Sequence, residues 1–257
     1  MKLIFKIMPY KHHSNFAQFA EPQDTLLWRY MNIDKLLKLL ETENLYFCKV
    51  SEFDDLNEGF AEPWESQNLA KALESNGCMD EITNGVNRLR SRAKDFIFAN
   101  CWNYEDQETS VMWDSYGKSD KNNVGLCIKT NAQKLYDSII DERNIYSGIV
   151  EYVSKFAPTL TNIYLDAFIK HDTFKGEKEI RLISVSPHFM EESVKSLPEK
   201  GITVKVDVKK MIDKIILHPS SNMEDFALVK EKIQELGKGY DFDIIKSSIN
   251  YRERKTI

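Results

Sequence analysis

Residues 26–60, LLWRYMNIDKLLKLLETENLYFCKVSEFDDLNEGF, switch between two hydrophobic periods. A short apolar run ends at Arg29 and Tyr30 and reads as a strand. Asn32 then offers an N-cap, because its side-chain oxygen can satisfy an orphan amide of the first helical turn. Ile33, Leu36, Leu37 and Leu40 recur at helical spacing and place their side chains on one face. Residues 45–50 are aromatic and β-branched, the pattern of a second strand, and the acidic loop SEFDDLNEG follows. The opening unit is therefore strand, amphipathic helix, strand.

The same reading extends along the chain. Residues 1–10 read as a strand, 11–25 as a polar connection, and 65–74 and 79–94 as helices. Arg88 and Arg92 share a face of the second of these, bordered by Arg90 and Lys94, which reads as a solvated surface or a phosphate-binding patch. The run FIFANCW at 96–102 predicts a buried strand, and the polar stretch after it ends in Val111, Met112, Trp113 and Tyr116 before Gly117. Val124, Leu126 and Ile128 alternate as a strand, 131–140 reads as a short helix, 147–153 as a strand and 160–170 as a helix. Residues 173–185, TFKGEKEIRLISV, read as a strand with Ile180 and Leu182 on one face and Glu177, Glu179 and Arg181 in a row on the other. Strands at 202–208, 214–218 and 244–249 and a helix at 223–236 complete the pattern, ahead of a charged tail. No repeat or Pro/Gly/Ser-rich linker interrupts it, so the expectation is a single α+β domain over 1–257.

Composition narrows the class. The chain of 257 residues is 42% hydrophobic and 29% charged, ordinary for a globular protein. No apolar run approaches the roughly 20 residues a membrane span needs, and the apolar part of MKLIFKIMPYKHH is too short and interrupted for a signal peptide. The expectation is a cytoplasmic protein without membrane contact. The four cysteines form no C-x-x-C pair and are expected as reduced thiols. A net charge of −5 gives no global pull towards nucleic acid. The five histidines make no H-x-x-x-H or H-E-x-x-H pair, so no metal site is expected from them. The glycine patterns of dinucleotide and nucleotide loops, and G-x-S-x-G, are absent.

Three features could carry chemistry. The row Glu177, Glu179, Arg181 is either a solvated face with weak ion pairs or a carboxylate held ionised by its arginine, able to stabilise a developing cation as in glycosyl transfer. Arg29 stands in an apolar strand and needs an anionic partner: Asp54, Asp55 or Glu58 as a structural pair, or a diphosphate gripped through two hydrogen bonds. Trp113 and Tyr116 are either core or a platform for a planar ring. A Mg²⁺ nuclease built on Asp54, Asp55 and Glu58 is a further reading of the acidic loop.

The motifs L-W-R-Y-M-N-I-D-K-L-L-K-L-L, L-Y-F, S-E-F-D-D-L-N-E-G, N-C-W-N-Y-E, S-V-M-W-D-S-Y-G, V-G-L-C-I, F-K-G-E-K-E-I-R-L-I, I-D-K-I-I-L and S-S-I-N-Y-R, in order over 26–252, resemble the bacterial family catalogued as domain of unknown function 2971. That family's loop usually reads F-N-D-P-x-E, whereas Phe53-Asp54-Asp55-Leu56-Asn57-Glu58 stands here. The opening unit also resembles the ADP-ribosyltransferase fold, toxin-like members included. This second resemblance implies a mixed β core with helices around it and NAD as substrate. It implies Arg29 as the NAD-gripping residue, Glu179 as catalytic glutamate with Glu177 beside it, and Tyr30, Trp113 and Tyr116 as pocket residues, with Ser110 also able to fill the middle element. The function so implied is transfer of ADP-ribose to a nucleic acid, RNA foremost, or to a protein. Such an effector would act as a toxin or in phage defence, restrained by an inhibitory antitoxin protein. An NAD glycohydrolase and a non-catalytic binding module with a structural Arg/carboxylate network are the alternatives.

Overall fold

The computed structural model describes residues 23–53, 88, 92–119, 123–154, 165–191 and 193–249. The strand expected at 1–10, the helix at 65–74, most of that at 79–94, the loop carboxylates Asp54, Asp55 and Glu58, and the charged tail lie outside the described residues. Among the described residues the strands are β1 (Leu26–Asn32), β2 (Asn44–Lys49), β3 (Ile97–Tyr104), β4 (Gly125–Asn131), β5 (Tyr146–Ile149), β6 (Glu151–Val153), β7 (Ile169–His171), β8 (Glu179–Val185), β9 (Gly201–Lys205), β10 (Lys214–Leu217) and β11 (Asp243–Lys246). The helices are α1 (Ile33–Thr42), α2 (Ser110–Tyr116), α3 (Ala132–Ser138), α4 (Val208–Met211) and α5 (Met223–Glu235). The expected α+β class, a mixed sheet with helices packed on it, is what the chain forms.

The chain divides into two compact units. Of the described residues, the Arg29 unit holds those within Glu21–Leu45, Trp102–Asp141 and Val204–Ile257, and the Glu179 unit those within Tyr46–Cys101 and Glu142–Thr203.

In the Arg29 unit β1 pairs antiparallel with β4 along its whole length, from Leu26 opposite Asn131 to Asn32 opposite Gly125. β10 lies antiparallel on the far side of β4, β11 lies parallel to β10, and Asn103 and Tyr104 of β3 pair with β1. Both faces of β1 are covered, since Leu27, Trp28, Tyr30 and Met31 are all buried, which is why the strand reads as a nearly continuous apolar run. α1 starts as expected: Asn32 Oδ1 accepts the Lys35 amide at 3.1 Å. Its buried face is Ile33, Leu36, Leu39 and Leu40; Leu37 is only half-buried, so the apolar stripe is shifted from the expected one. Glu43 ends the helix at φ 53°, its amide returning to the Leu39 carbonyl. α5 opens with a reciprocal cap in which Asn222 Oδ1 accepts the Asp225 amide and Asp225 accepts the Asn222 amide.

Gly125, the first residue of β4, is required by space. A Cβ there would stand 1.9 Å from the carbonyl oxygen of Gly117, a backbone atom. Gly125→Ala is expected to destabilise the protein by about 1–3 kcal/mol in a urea titration, because the backbone itself must move.

In the Glu179 unit β8 is a central strand, paired with β3 and β5. Its register with β5 sets Arg181 opposite Gly148 and Ile183 opposite Tyr146. Phe96, Ile97, Ala99, Phe168, Ile183 and Phe189 form the core against it. Several expected elements are shorter here. The strand expected at 147–153 divides into β5 and β6. In place of the end of the helix expected at 160–170, a 3-10 turn runs into β7, which lies parallel to β6. The strand expected at 173–185 is confined to β8, because Asp172–Glu177 is a 3-10 turn. The strand expected at 202–208, which runs out of this unit, ends with β9: Asp207 accepts the Lys210 amide at 3.1 Å and starts α4 instead. Arg88 is exposed, whereas Arg92 is half-buried. Its guanidinium donates to the carbonyls of His188, Phe189, Glu191 and Val194 and lies 4.3 Å from the Phe96 ring centroid.

Candidate functional site

Glu179 is the first residue of β8, and Lys178 before it adopts the left-handed conformation at φ 40°, ψ 73°. That conformation is uncommon for a residue with a side chain. It breaks the period-2 alternation, so Glu177 is placed by the 3-10 turn and not by the strand row expected from sequence. Glu179 and Arg181 do share one face of β8, but the face is covered. The side chains of Glu179 and Arg181 are 8% and 0% exposed, which overturns the reading of a solvated row.

The covering element supplies a cation. Lys170 of β7 donates from Nζ to Glu177 Oε2 at 2.6 Å and to Glu179 Oε1 at 2.8 Å. Arg181 donates from Nε to the other oxygen, Oε2, at 2.8 Å, and its Nη1 reaches the Ala167 carbonyl at 2.8 Å. The backbone of Glu179 is held as firmly. Its amide donates to the Tyr152 hydroxyl at 3.0 Å and its carbonyl accepts the Val150 amide at 2.8 Å. Two cations thus face two carboxylates in a place nearly closed to water, where an unpaired charge costs several kcal/mol.

The two carboxyls are driven apart in acidity. Burial pushes the Glu179 carboxyl up, but Arg181, the hydrogen bond with Glu177, and Lys170 together hold it well below the usual carboxylate range. Glu177 goes the other way: burial and the adjacent Glu179 push it up to about 7, against the pull of Lys170. One member is a fixed anion and the other exchanges a proton near neutrality, the division of labour that acid–base chemistry on a carboxylate pair requires. Glu177 is also the carboxylate solvent reaches more readily, its side chain being 17% exposed. Burial likewise pushes the Tyr152 hydroxyl above its ordinary value, which keeps it neutral.

The other expected residues belong to the Arg29 unit. Arg29 is half-buried on β1, its guanidinium 5.7 Å from the Trp102 ring centroid. Trp113 is fully buried; its indole N–H donates to Glu108 Oε2 at 2.9 Å, and its ring meets Tyr30 edge-on at 4.9 Å. Glu108 is satisfied from its other oxygen too, by the amide and hydroxyl of Ser248 at 2.7 and 2.9 Å. The Tyr30 hydroxyl accepts the Thr109 amide at 3.2 Å. Tyr30 and Trp113 therefore sit in a packed cluster with Met112, Cys127 and Ile216, whereas Tyr116 is 52% exposed. Ser110 opens α2 next to its cap, Thr109.

Sequence reasoning missed Lys170 and Tyr152. A three-residue strand carries no period, and the one available signal was a charge imbalance: two carboxylates beside one arginine cannot be buried without a second cation. Among the described residues no group of three or more His, Cys, Asp or Glu side chains could hold a metal ion, and no helix is long and apolar enough to cross a membrane.

No family model and no curated protein matches the chain, so the resemblance to the domain of unknown function 2971 family rests on its motifs. Solved structures of DarT from Thermus sp. 2.9 are similar to it. The complex with ADP-ribosylated ssDNA has 8% identity and a TM-score of 0.40, covering 88% of this chain and 96% of that one. The complex with NAD⁺ has 9% identity and a TM-score of 0.39, covering 88% and 97%. The complex with carba-NAD⁺ has 8% identity and a TM-score of 0.39, with the same coverage. At this level no residue role is transferred from one chain to the other.

Proposed function

We propose that the protein is an NAD-dependent ADP-ribosyltransferase in which Glu179 and Glu177 are the catalytic carboxylates. What carries the reading is the pair itself: a buried Glu179 bonded to Lys170 and Arg181 and held well below the usual carboxylate range, beside a Glu177 that shares Lys170 and is pushed up to about 7. The nicotinamide–ribose bond breaks with its electron pair leaving on nicotinamide, and positive charge builds on the ribose. A fixed carboxylate stabilises that charge more than it stabilises the ground state. The acceptor's lone pair closes on the anomeric carbon and its proton passes to Glu177, which accepts it only when deprotonated. Activity is therefore expected to rise with pH through about 7, and this limb should vanish in Glu177→Gln, measured as kcat/KM for NAD across pH.

Arg29 is proposed, separately, to contact the diphosphate of NAD, with Tyr116 as an accessible ring for nicotinamide; Arg29→Lys should raise KM for NAD while leaving kcat nearly unchanged. The acceptor is proposed to be a nucleic acid, RNA foremost, or a protein, in a toxin-like or phage-defence effector restrained by an inhibitory protein. Mass spectrometry of RNA, DNA and protein after induction tests this. ADP-ribose on one of them, absent with Glu179→Gln, supports a transferase. Free ADP-ribose alone makes the protein an NAD glycohydrolase, and intact NAD rejects both.

One observation favours a second reading. Both Glu179 oxygens are already taken by cations, with the side chains of Lys170, Glu179 and Arg181 no more than 8% exposed. A non-catalytic module with a structural Arg/carboxylate network would look the same at these atoms. It predicts that Glu177→Gln changes no activity on NAD at any pH.

A further inference from the structure

The structure assigns Lys170 and Tyr152, side by side on the β6–β7 ribbon, as the residues that position Glu177 and Glu179. This rests on the proposal that those two carboxylates are catalytic.

β6 and β7 form a two-stranded sheet of their own, and its parallel register sets Tyr152 beside Lys170. Neighbours in register leave a sheet on the same face. Both side chains converge on one residue: the Tyr152 hydroxyl takes the Glu179 backbone amide at 3.0 Å, and Lys170 Nζ takes Glu179 Oε1 at 2.8 Å. The same ammonium spans to Glu177 Oε2 at 2.6 Å. The ribbon therefore fixes the main chain of one glutamate, its carboxylate, and the distance to the second glutamate.

A lysine stem is ordinarily mobile, but this one is 5% exposed and its ammonium lies 4.8 Å from the Phe174 ring centroid. Phe174 belongs to the turn that also carries Glu177. Among the described residues, the titratable groups bonded to the pair include Arg181 from β8, Tyr152 from β6 and Lys170 from β7; His171 and Asp172 lie 3.4 Å apart next to Lys170 in sequence. Lys170 bonds to both carboxylates, so its loss should change how they share a proton.

The test is a carbon-13 titration of the Glu177 carboxyl, which needs no enzymatic activity. Wild type should titrate at about 7. Lys170→Met should titrate at least about one unit higher, and Lys170→Arg, which keeps the charge, within about half a unit of wild type. If Lys170→Met does not fold, Lys170→Gln takes its place with the same expectation. An unmoved midpoint in the uncharged variant overturns the assignment of Lys170. A ribbon that only ties two elements together would lower Tm without moving that midpoint. For Tyr152, Tyr152→Phe should lower kcat about tenfold with KM for NAD within about twofold. An unchanged kcat, or a fall in KM-limited binding alone, overturns that half. Should Glu179→Gln retain full activity while the Lys170 midpoint moves as expected, the catalytic reading fails and the positioning geometry stands; the reverse result separates them the other way.

Discussion

Replacing Arg181 with methionine is expected to destabilise the protein by about 3–5 kcal/mol, seen as a lower urea midpoint at unchanged slope. The guanidinium is fully buried and makes two kinds of contact: a charge-assisted bond from Nε to Glu179 and a bond to the Ala167 carbonyl. Methionine fills most of the volume but strands an anion. Among the described residues Glu179 would then keep Lys170 as its cation, which also serves Glu177. Lysine at 181 should not rescue, because a point charge cannot reproduce the guanidinium fork that spans Glu179 and the carbonyl. Converting Lys170, Glu177, Glu179 and Arg181 together to uncharged residues of similar shape should recover much of the loss, since no buried charge is then left unpaired. A loss below about 1 kcal/mol in the single variant, typical of exposed pairs, would contradict the burial of this network.

Glu179→Gln is expected to lower kcat on NAD by about 10²–10³-fold with little change in KM. The amide keeps the shape and one acceptor, but not the charge. What it removes is stabilisation of positive charge that exists only as the nicotinamide bond breaks, so the deficit should fall on kcat. The variant also removes the anion beside Glu177 while Lys170 stays bonded to it, which should shift the Glu177 titration down. Circular dichroism at the assay temperature distinguishes the two causes of inactivity. A folded, inactive variant supports the catalytic role, and inactivity that follows the unfolded fraction supports the structural network.

Local periodicity carried as far as each element could bury its own face. α1 was legible because its expected cap, Asn32, and its apolar spacing agreed, and α5 was legible as a helix following a polar turn, its Asn222 cap being seen only in the structure. β10 was legible as a short apolar run. Glu179 and Arg181 were legible as sharing a face, because alternation is a property of the strand itself. Whether that face meets water is a property of whatever covers it. The cover here is β7, three residues long, following a 3-10 turn where apolar spacing predicted a helix. Lys178 compounded the miss: a left-handed residue cannot be read from a charged tripeptide, and it moved Glu177 out of the strand. Trp113 and Tyr30 were singled out as aromatic candidates, but sequence could not show that Glu108 would satisfy the indole and draw both into the core.

The burial of the Lys170–Glu179–Arg181 cluster has a consequence for ionic strength. Dissolved ions weaken attractions only where they can come between the charges, and over about 10 Å at 0.1 M salt. The exposed pair Lys38–Glu41 on α1, 73% and 61% accessible, is open to that weakening. The buried cluster is not, so salt that dissolves the surface pairing should leave the Glu177 midpoint almost where it was.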